Sequence, residues 1–83
     1  MPQQTVLVVD DHFDLCSILV RLLKYSGYDA ACATSGQAAL AYVRNHPPSL
    51  VILDLMMPDL SGLDVLEAMR RHPGGHVLGV GRP

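Results

Sequence analysis

The sequence has little of what a nucleic-acid or membrane binder needs. It contains no tryptophan, a single lysine, and only three tyrosines and one phenylalanine in 83 residues. Eight acidic residues outnumber six basic ones, which gives a net charge of −2 at pH 7 and a pI near 6.0. Because nucleic acid and anionic membrane surfaces attract proteins with a basic field, we expect no direct nucleic-acid partner and no membrane partner.

Long hydrophobic runs and cysteine frameworks are also missing. No apolar run approaches the roughly 20 residues that span a bilayer. The N-terminal stretch MPQQTVLVVDD lacks the basic start and cleavage region of a signal peptide, so we expect a cytoplasmic protein. Cys16 and Cys32 form no CxxC motif, and the favoured interpretation is two small buried hydrophobic residues in a reducing compartment.

The remaining composition is that of one small globular domain. A hydrophobic content of 49% with 17% charged residues excludes a disordered polyelectrolyte. A chain of this length buries only about 60 to 65% of its unfolded surface, so its stability is expected to be marginal.

Strand-like and helix-like segments alternate along the chain. TVLVV and LVIL are apolar on both faces, which is typical of central strands in a parallel sheet. Residues 14–26 repeat apolar side chains at helical spacing up to Gly27, and residues 28–33 form a weaker strand candidate. Ser35 is a candidate N-cap of the second helix, which the proline pair 47–48 ends.

The third unit begins at LVIL and continues into a helix with its own start signal. Ser61 followed by Asp64 resembles a capping box before an apolar stripe that ends at Pro73. The order strand, helix, repeated three times, predicts an α/β fold: a three-layer, doubly wound parallel sheet with helices on both faces. We therefore assign three βα units to residues 1–72 and a Gly/Pro-rich tail to residues 73–83. Within that tail HVLGV predicts only a ragged fourth strand, because Gly79 and Gly81 weaken it.

Acidic residues stand where two of the apolar strands end. TVLVV stops at Asp10 and Asp11, and LVIL stops at Asp54. If those strands are neighbours, three carboxylates converge at the carboxyl edge of the sheet, where such folds bind ligands. Like charges about 4 Å apart repel by about 1 kcal/mol in water and about 4 kcal/mol at an effective dielectric of 20. A cluster of carboxylates therefore favours the binding of a cation. Its few oxygen ligands suit Mg²⁺ better than Ca²⁺. The alternative, in which Asp10 and Asp11 only begin a turn and cap the next helix, stays open.

The segments VLVVDD, ATSGQAAL and DLMMPDLSGLDVL resemble the receiver domain of bacterial two-component response regulators, over about residues 5–72. The resemblance implies a flavodoxin-like fold with strand order 2-1-3-4-5 and a signalling domain rather than an enzyme. It implies that Asp54 accepts a phosphoryl group from a histidine kinase or phosphotransfer protein. It further implies that Mg²⁺ is held by Asp10, by Asp11, by Asp54 and by the backbone carbonyl of Met56, with one acid acting partly through water.

Three residues next to these acids are expected to lie near the site without binding the metal or the phosphoryl group. Met57 is expected to pack beneath the loop that follows Asp54. His12 and Phe13 come directly after the acid pair, and both a place at the pocket rim and a solvent-facing helix start are open for them.

The family pattern stops after the third helix. A complete receiver has a Ser or Thr ending its fourth strand and a Lys ending its fifth, whereas here Ser61 is the last Ser or Thr and Lys24 is the single lysine. Since losing one electrostatic stabiliser commonly costs about 3 kcal/mol, we expect at most slow, weakly transmitted phosphorylation. We also expect the third strand to lie at or near a sheet edge and to favour pairing with another copy. The alternative is a receiver remnant that acts unphosphorylated as an interaction module, or an unstable fragment.

Other chemistries fit the sequence poorly. Asp54 is followed by Leu55 and Met56, so the DxDx[TV] motif of haloacid-dehalogenase phosphatases is absent. The glycines of residues 74–79 have P-loop spacing without its Lys and Ser/Thr. His72 and His76 have the spacing of a zinc-binding helix, but the proline and glycines between them oppose that helix.

Overall fold

The computed structural model describes residues 4–57, 62–71 and 75–80. Strands and helices alternate throughout this part of the chain, and the three predicted βα units are confirmed. The elements are β1 Thr5–Val9, α1 Phe13–Tyr25, β2 Asp29–Ala33, α2 Gly36–Asn45, β3 Leu50–Asp54, α3 Gly62–Arg70 and β4 His76–Val80.

The four described strands form one parallel sheet in the order β2-β1-β3-β4. This order agrees with the 2-1-3-4 part of the order that the resemblance implies. The crossovers place α1 on one face of the sheet and the pair α2 and α3 on the other. The predicted three-layer, doubly wound α/β fold is therefore confirmed.

Alternation along the strands divides the core between the two faces. Along each of β1 and β3, alternate residues point to opposite faces of the sheet. One set packs with α2 and α3, and the other set packs with α1. Since both faces are covered by helices, the strands read as continuous apolar runs rather than as polar and apolar alternation. The first face uses Leu7, Val9, Val51 and Leu53, and the second uses Val6, Val8, Leu50 and Ile52.

Two helix boundaries have the local causes that the sequence predicts. After α1 the chain turns at Gly27, whose φ of 98° lies in the left-handed region that favours glycine. Ser35 caps α2 by accepting a hydrogen bond of 3.1 Å from the backbone N–H of Ala38. The proposed cap of α3, Ser61, lies outside the described residues.

The fourth strand is more regular than the sequence predicts. HVLGV forms a strand, β4, which pairs with β3 along its whole length, so β3 lies near an edge of the described sheet, one strand in from it. The strand forms with Gly79 inside it, and a Cβ at that position would lie 3.1 Å from the side chain of Leu55, which would have to shift slightly to make room. The neighbouring Gly81 lies outside the described residues.

The interpretation of the cysteines as two unpaired thiols is wrong. Cys16 of α1 and Cys32 of β2 form a disulfide, with their Cα atoms 6.0 Å apart. The register of the sheet is the reason: Cys32 pairs with Val8 of β1, and the sulfur of Cys16 lies 3.4 Å from the carbonyl oxygen of the same Val8. The predicted burial is confirmed for Cys16, which is 0% exposed.

Candidate phosphoacceptor and metal site

The sheet register brings the acidic residues together at its carboxyl edge. Val9 of β1 pairs with Leu53 of β3, so the residues that follow them, Asp10 and Asp54, end adjacent strands at the same level. Asp11 continues the chain by one residue into the turn before α1. The condition stated for convergence, that the first and third strands be neighbours, is met.

The ligating atoms of this cluster are close to one another. Oxygens of Asp10, Asp11 and Asp54 and a ring nitrogen of His12 all lie within 4.8 Å. Asp10 and Asp54 are buried, at 6% and 5% exposure, whereas Asp11 is exposed. Two carboxylates held away from bulk water, with a third at the rim, make a pocket with a strong preference for a cation.

Short-range hydrogen bonds orient the two buried carboxylates. An oxygen of Asp10 accepts from the backbone N–H of His12 at 2.9 Å, and an oxygen of Asp54 accepts from the backbone N–H of Met56 at 2.9 Å. In both cases an aspartate bonds to the backbone two residues ahead, as in an Asx turn. Asp10 therefore does begin a turn, but its carboxylate also belongs to the cluster. The N-cap of α1 is His12, which makes no side-chain capping bond.

His12 is the member of this site that sequence reasoning left undecided. Its side chain is 64% exposed, yet its Nδ1 lies 3.3 Å from an oxygen of Asp10 and 3.0 Å from an oxygen of Asp11. It thus stands at the rim and in contact with both acids. Its place directly after the acid pair was the available signal, and the turn made by Asp10 is what folds the imidazole back.

The donor set fits magnesium. An octahedral ion with bonds of about 2.1 Å holds its ligands at most about 4.2 Å apart, so small side-chain shifts or one bridging water accommodate a cluster within 4.8 Å. All three aspartates offer the oxygen atoms that a hard cation prefers. Met56 has a 65% exposed side chain and donates its N–H to Asp54, and its carbonyl as a ligand stays a prediction.

Apolar residues surround the acids. Met57 is 4% exposed and packs in the core on the side of α2 and α3; residues 58–61 of the loop beneath which it is expected to pack lie outside the described residues. On the side of α1, a cavity of about 90 Å³ reaches from Asp10 and Asp54 to Val80 at the end of β4. Val80 is the strand partner of Asp54, so the end of the fourth strand places an aliphatic side chain beside the acid.

Residues 6–81 match the family described as the response regulator receiver domain. The chain belongs to this family. Two relatives illustrate the match. The chain is 45% identical over 75 residues to the probable transcriptional regulatory protein TcrX of Mycobacterium tuberculosis. It is 42% identical over 72 residues to the DNA-binding response regulator MtrA of Mycolicibacterium paratuberculosis. Receiver domains of response regulators function in two-component signalling.

Solved receiver structures share the fold of this receiver. A receiver domain protein from Methanospirillum hungatei superposes with a TM-score of 0.86 at 26% identity, covering 96% of this chain and 65% of that one. The N-terminal domain of a response regulator receiver protein from Methanoculleus marisnigri gives a TM-score of 0.75 at 36% identity, covering 90% of this chain and 63% of that one.

The match covers most of this receiver but a smaller part of its relatives. TcrX and MtrA match over 89% and 87% of this chain, and the chain spans 32% of the length of each.

None of the helices in the described part of the chain has the length and apolar character needed to span a membrane.

Proposed function

We propose that this receiver accepts a phosphoryl group on Asp54 from a histidine kinase or a phosphotransfer protein, with Mg²⁺ bound at Asp10, Asp11, Asp54 and the carbonyl of Met56. The observation that carries the proposal is the meeting of three aspartates within 4.8 Å at the carboxyl edge of the sheet. The proposed compartment is the cytoplasm, where phosphotransfer to receivers takes place.

Each residue of the site has a definite task in this proposal. Asp54 is held at the tip of a buried strand, and the N–H of Met56 orients its carboxylate by donating a hydrogen bond to one oxygen. In the proposal this carboxylate is the nucleophile that attacks phosphorus. Bound Mg²⁺ would neutralise charge on the carboxylates and on the incoming phosphoryl oxygens. Asp10 is oriented by the N–H of His12, so the site needs little reorganisation before a cation binds.

The proposed reaction is slow. Lys24, the single lysine, lies in the last turn of α1, at the end of the helix away from the acids. Val80, the last described residue of β4, stands beside Asp54, and the sequence has no Ser or Thr after Ser61. Losing one charged or hydrogen-bonding group that stabilises a transition state typically slows a reaction about a hundredfold or more, so we expect slow modification and weak transmission of it.

The proposal is tested with acetyl phosphate as donor. The wild-type chain should gain one phosphoryl group by intact mass when Mg²⁺ is present and none when EDTA replaces it. Asp54→Asn should gain none under either condition, because the amide keeps the shape of the carboxylate but not its nucleophilic oxygen.

The matched control is Asp29→Asn. Asp29 is an exposed carboxylate at the start of β2, the end of the sheet opposite to the acids, so this variant should be modified as the wild type is. Equal absence of the adduct in the wild type and in Asp54→Asn would remove Asp54 as the phosphoacceptor.

A second candidate function is an interaction module that works without phosphorylation and pairs with another copy. It is favoured by apolar side chains along the outermost described strand and beside it: Leu78 is 53% exposed and Leu55 is 57% exposed. Sedimentation analysis of the wild type and of Leu78→Lys tests it. A monomeric wild type at high concentration would exclude self-pairing through β4.

The division of the chain at residues 72 and 73 stays a prediction, as does the absence of direct nucleic-acid binding. β4 lies within the segment that the sequence analysis assigned to the tail. A limited proteolysis pattern with cleavage between α3 and β4 would support the division.

A further inference from the structure

The disulfide joins two elements that are far apart in the sequence and adjacent in the fold. Cys16 is the fourth residue of α1, at the end of its first turn, and Cys32 lies in β2, sixteen residues later. The bond crosses the interface between helix and sheet on the face that α1 covers. Its Cα separation of 6.0 Å is within the range of ordinary disulfides, so the backbone positions alone permit the bond.

One cysteine of the bond lies in an outermost strand, and the other lies near the start of the helix that follows the acid pair. β2 is an outermost strand of the described sheet and pairs only with β1 there, so its outer edge lacks a second strand to hold it. The backbone N–H of Cys16 donates to the carbonyl of His12 at 3.0 Å, and His12 contacts the acids of the phosphoacceptor site. The bond therefore ties the outermost strand β2 to the beginning of the helix that follows the acid pair.

The arrangement also suits the reduced form. The sulfur of Cys16 is 0% exposed and lies 3.4 Å from the carbonyl oxygen of Val8, a partner to which a thiol can donate a weak hydrogen bond. Cys32 is half-buried as a residue, so it is the more accessible member of the pair. A pair with one accessible member and one sheltered member has the layout of a reacting and a resolving cysteine.

We propose that Cys16 and Cys32 form a reversible thiol–disulfide pair that sets the stability of the receiver according to the redox state around it. The proposal rests on the proposed cytoplasmic location, because disulfides in that compartment are usually transient or redox-sensing rather than structural. Nothing in the proposed phosphoacceptor chemistry requires these cysteines. The redox state of the pair would therefore change the stability of the domain independently of phosphorylation.

The oxidant belongs to the class of peroxides. The thiolate of Cys32 attacks one peroxide oxygen, which breaks the O–O bond and leaves Cys32 as a sulfenic acid. The other oxygen takes up one proton and leaves as water when the oxidant is hydrogen peroxide, or as an alcohol when it is an organic peroxide. The sulfur of Cys16 then attacks the sulfur of Cys32, and the hydroxyl leaves as water with the thiol proton of Cys16. A dithiol reverses the change by exchange and is itself oxidised to a disulfide.

The expected consequence is a large difference in thermal stability between the two forms. Closing a loop of about 15 residues removes enough chain entropy from the unfolded state to raise the unfolding midpoint of a domain this small by about 10 to 20 °C. Protection of backbone amides against hydrogen exchange should rise most in β2 and at the start of α1, the two places that the bond joins.

The test uses the full chain as the wild type, as Cys32→Ala and as Cys16→Ala. Each is treated with hydrogen peroxide or with dithiothreitol, denatured, alkylated with iodoacetamide and weighed. The wild type should carry no alkyl groups after peroxide and two after dithiothreitol, and its midpoint should differ between the two forms as stated. Each variant should show no redox-dependent shift of its midpoint, and Cys32→Ala should resemble the reduced wild type.

Three results would overturn the proposal: two alkylated thiols in peroxide-treated wild type, a disulfide found only between two chains, or an equal redox shift in Cys32→Ala. Cys32→Ala removes a half-buried side chain, so it keeps the test valid if Cys16→Ala does not fold. The same measurement on Asp54→Asn separates this proposal from the phosphoacceptor one, since the redox shift should persist there whether or not Asp54 accepts phosphate.

Discussion

Replacing Asp54 by asparagine should stabilise the metal-free receiver. The three carboxylates of the site lie within 4.8 Å of one another. At that distance two unit charges repel by about 0.9 kcal/mol in water and by about 3.5 kcal/mol at an effective dielectric of 20. Asp54 and Asp10 are 5% and 6% exposed, so their interaction lies between these limits. Asp54→Asn removes the charge and keeps the oxygen that accepts from the N–H of Met56.

The free energy of unfolding in EDTA at low salt should therefore rise by about 1 to 3 kcal/mol in Asp54→Asn. Each kcal/mol corresponds to about 4 to 8 °C in the unfolding midpoint of a domain of this size. The difference between the two chains should shrink when Mg²⁺ is added. Wild type gains about 2.7 kcal/mol at a metal concentration one hundred times its dissociation constant, whereas Asp54→Asn has lost one ligand charge and should gain less.

The assay is urea unfolding followed by circular dichroism, with EDTA and with Mg²⁺, and with dithiothreitol present so that the disulfide does not differ between samples. Asp29→Asn is the control, since it removes an exposed carboxylate far from the site and should change stability by less than about 0.5 kcal/mol. A loss of stability of Asp54→Asn in EDTA, or an equal gain from Mg²⁺ in both chains, would refute the reasoning.

Three further substitutions test the fold. Gly27→Ala should lower the free energy of unfolding by about 1 to 2 kcal/mol in urea titrations, because φ at this position is 98° and L residues are strained there. Ser35→Ala should cost about 1 kcal/mol by loss of the cap on α2, and Ser35→Asp should recover most of it. Leu53→Ala should cost about 2 to 5 kcal/mol, enough to leave much of the chain unfolded by far-ultraviolet circular dichroism, since Leu53 is 1% exposed. Leu22→Ala, at a side chain that is 59% exposed, should change stability far less and serves as its control.

The sequence by itself predicted three βα units and the place where the acidic residues meet. Apolar runs on both faces required a sheet covered by helices, and the helical spacing of residues 14–26 and the cap at Ser35 located α1 and α2 closely. Acids at the ends of two strands predicted their convergence at one edge, because parallel strands align their carboxyl ends. These inferences succeed because periodicity, caps and turns are local properties of the chain.

The resemblance implied the strand order, but only the tertiary structure decided the register of neighbouring strands and which distant side chains meet. The pairing of Val8 with Cys32 is what brings Cys16 and Cys32 together, and the pairing of Asp54 with Val80 makes HVLGV the outermost described strand beside β3. The contact of His12 with both acids likewise depends on the turn that Asp10 makes in space. Such contacts follow from sheet register and helix packing, which depend on interactions between segments far apart in the sequence, so a pattern read along the chain cannot specify them.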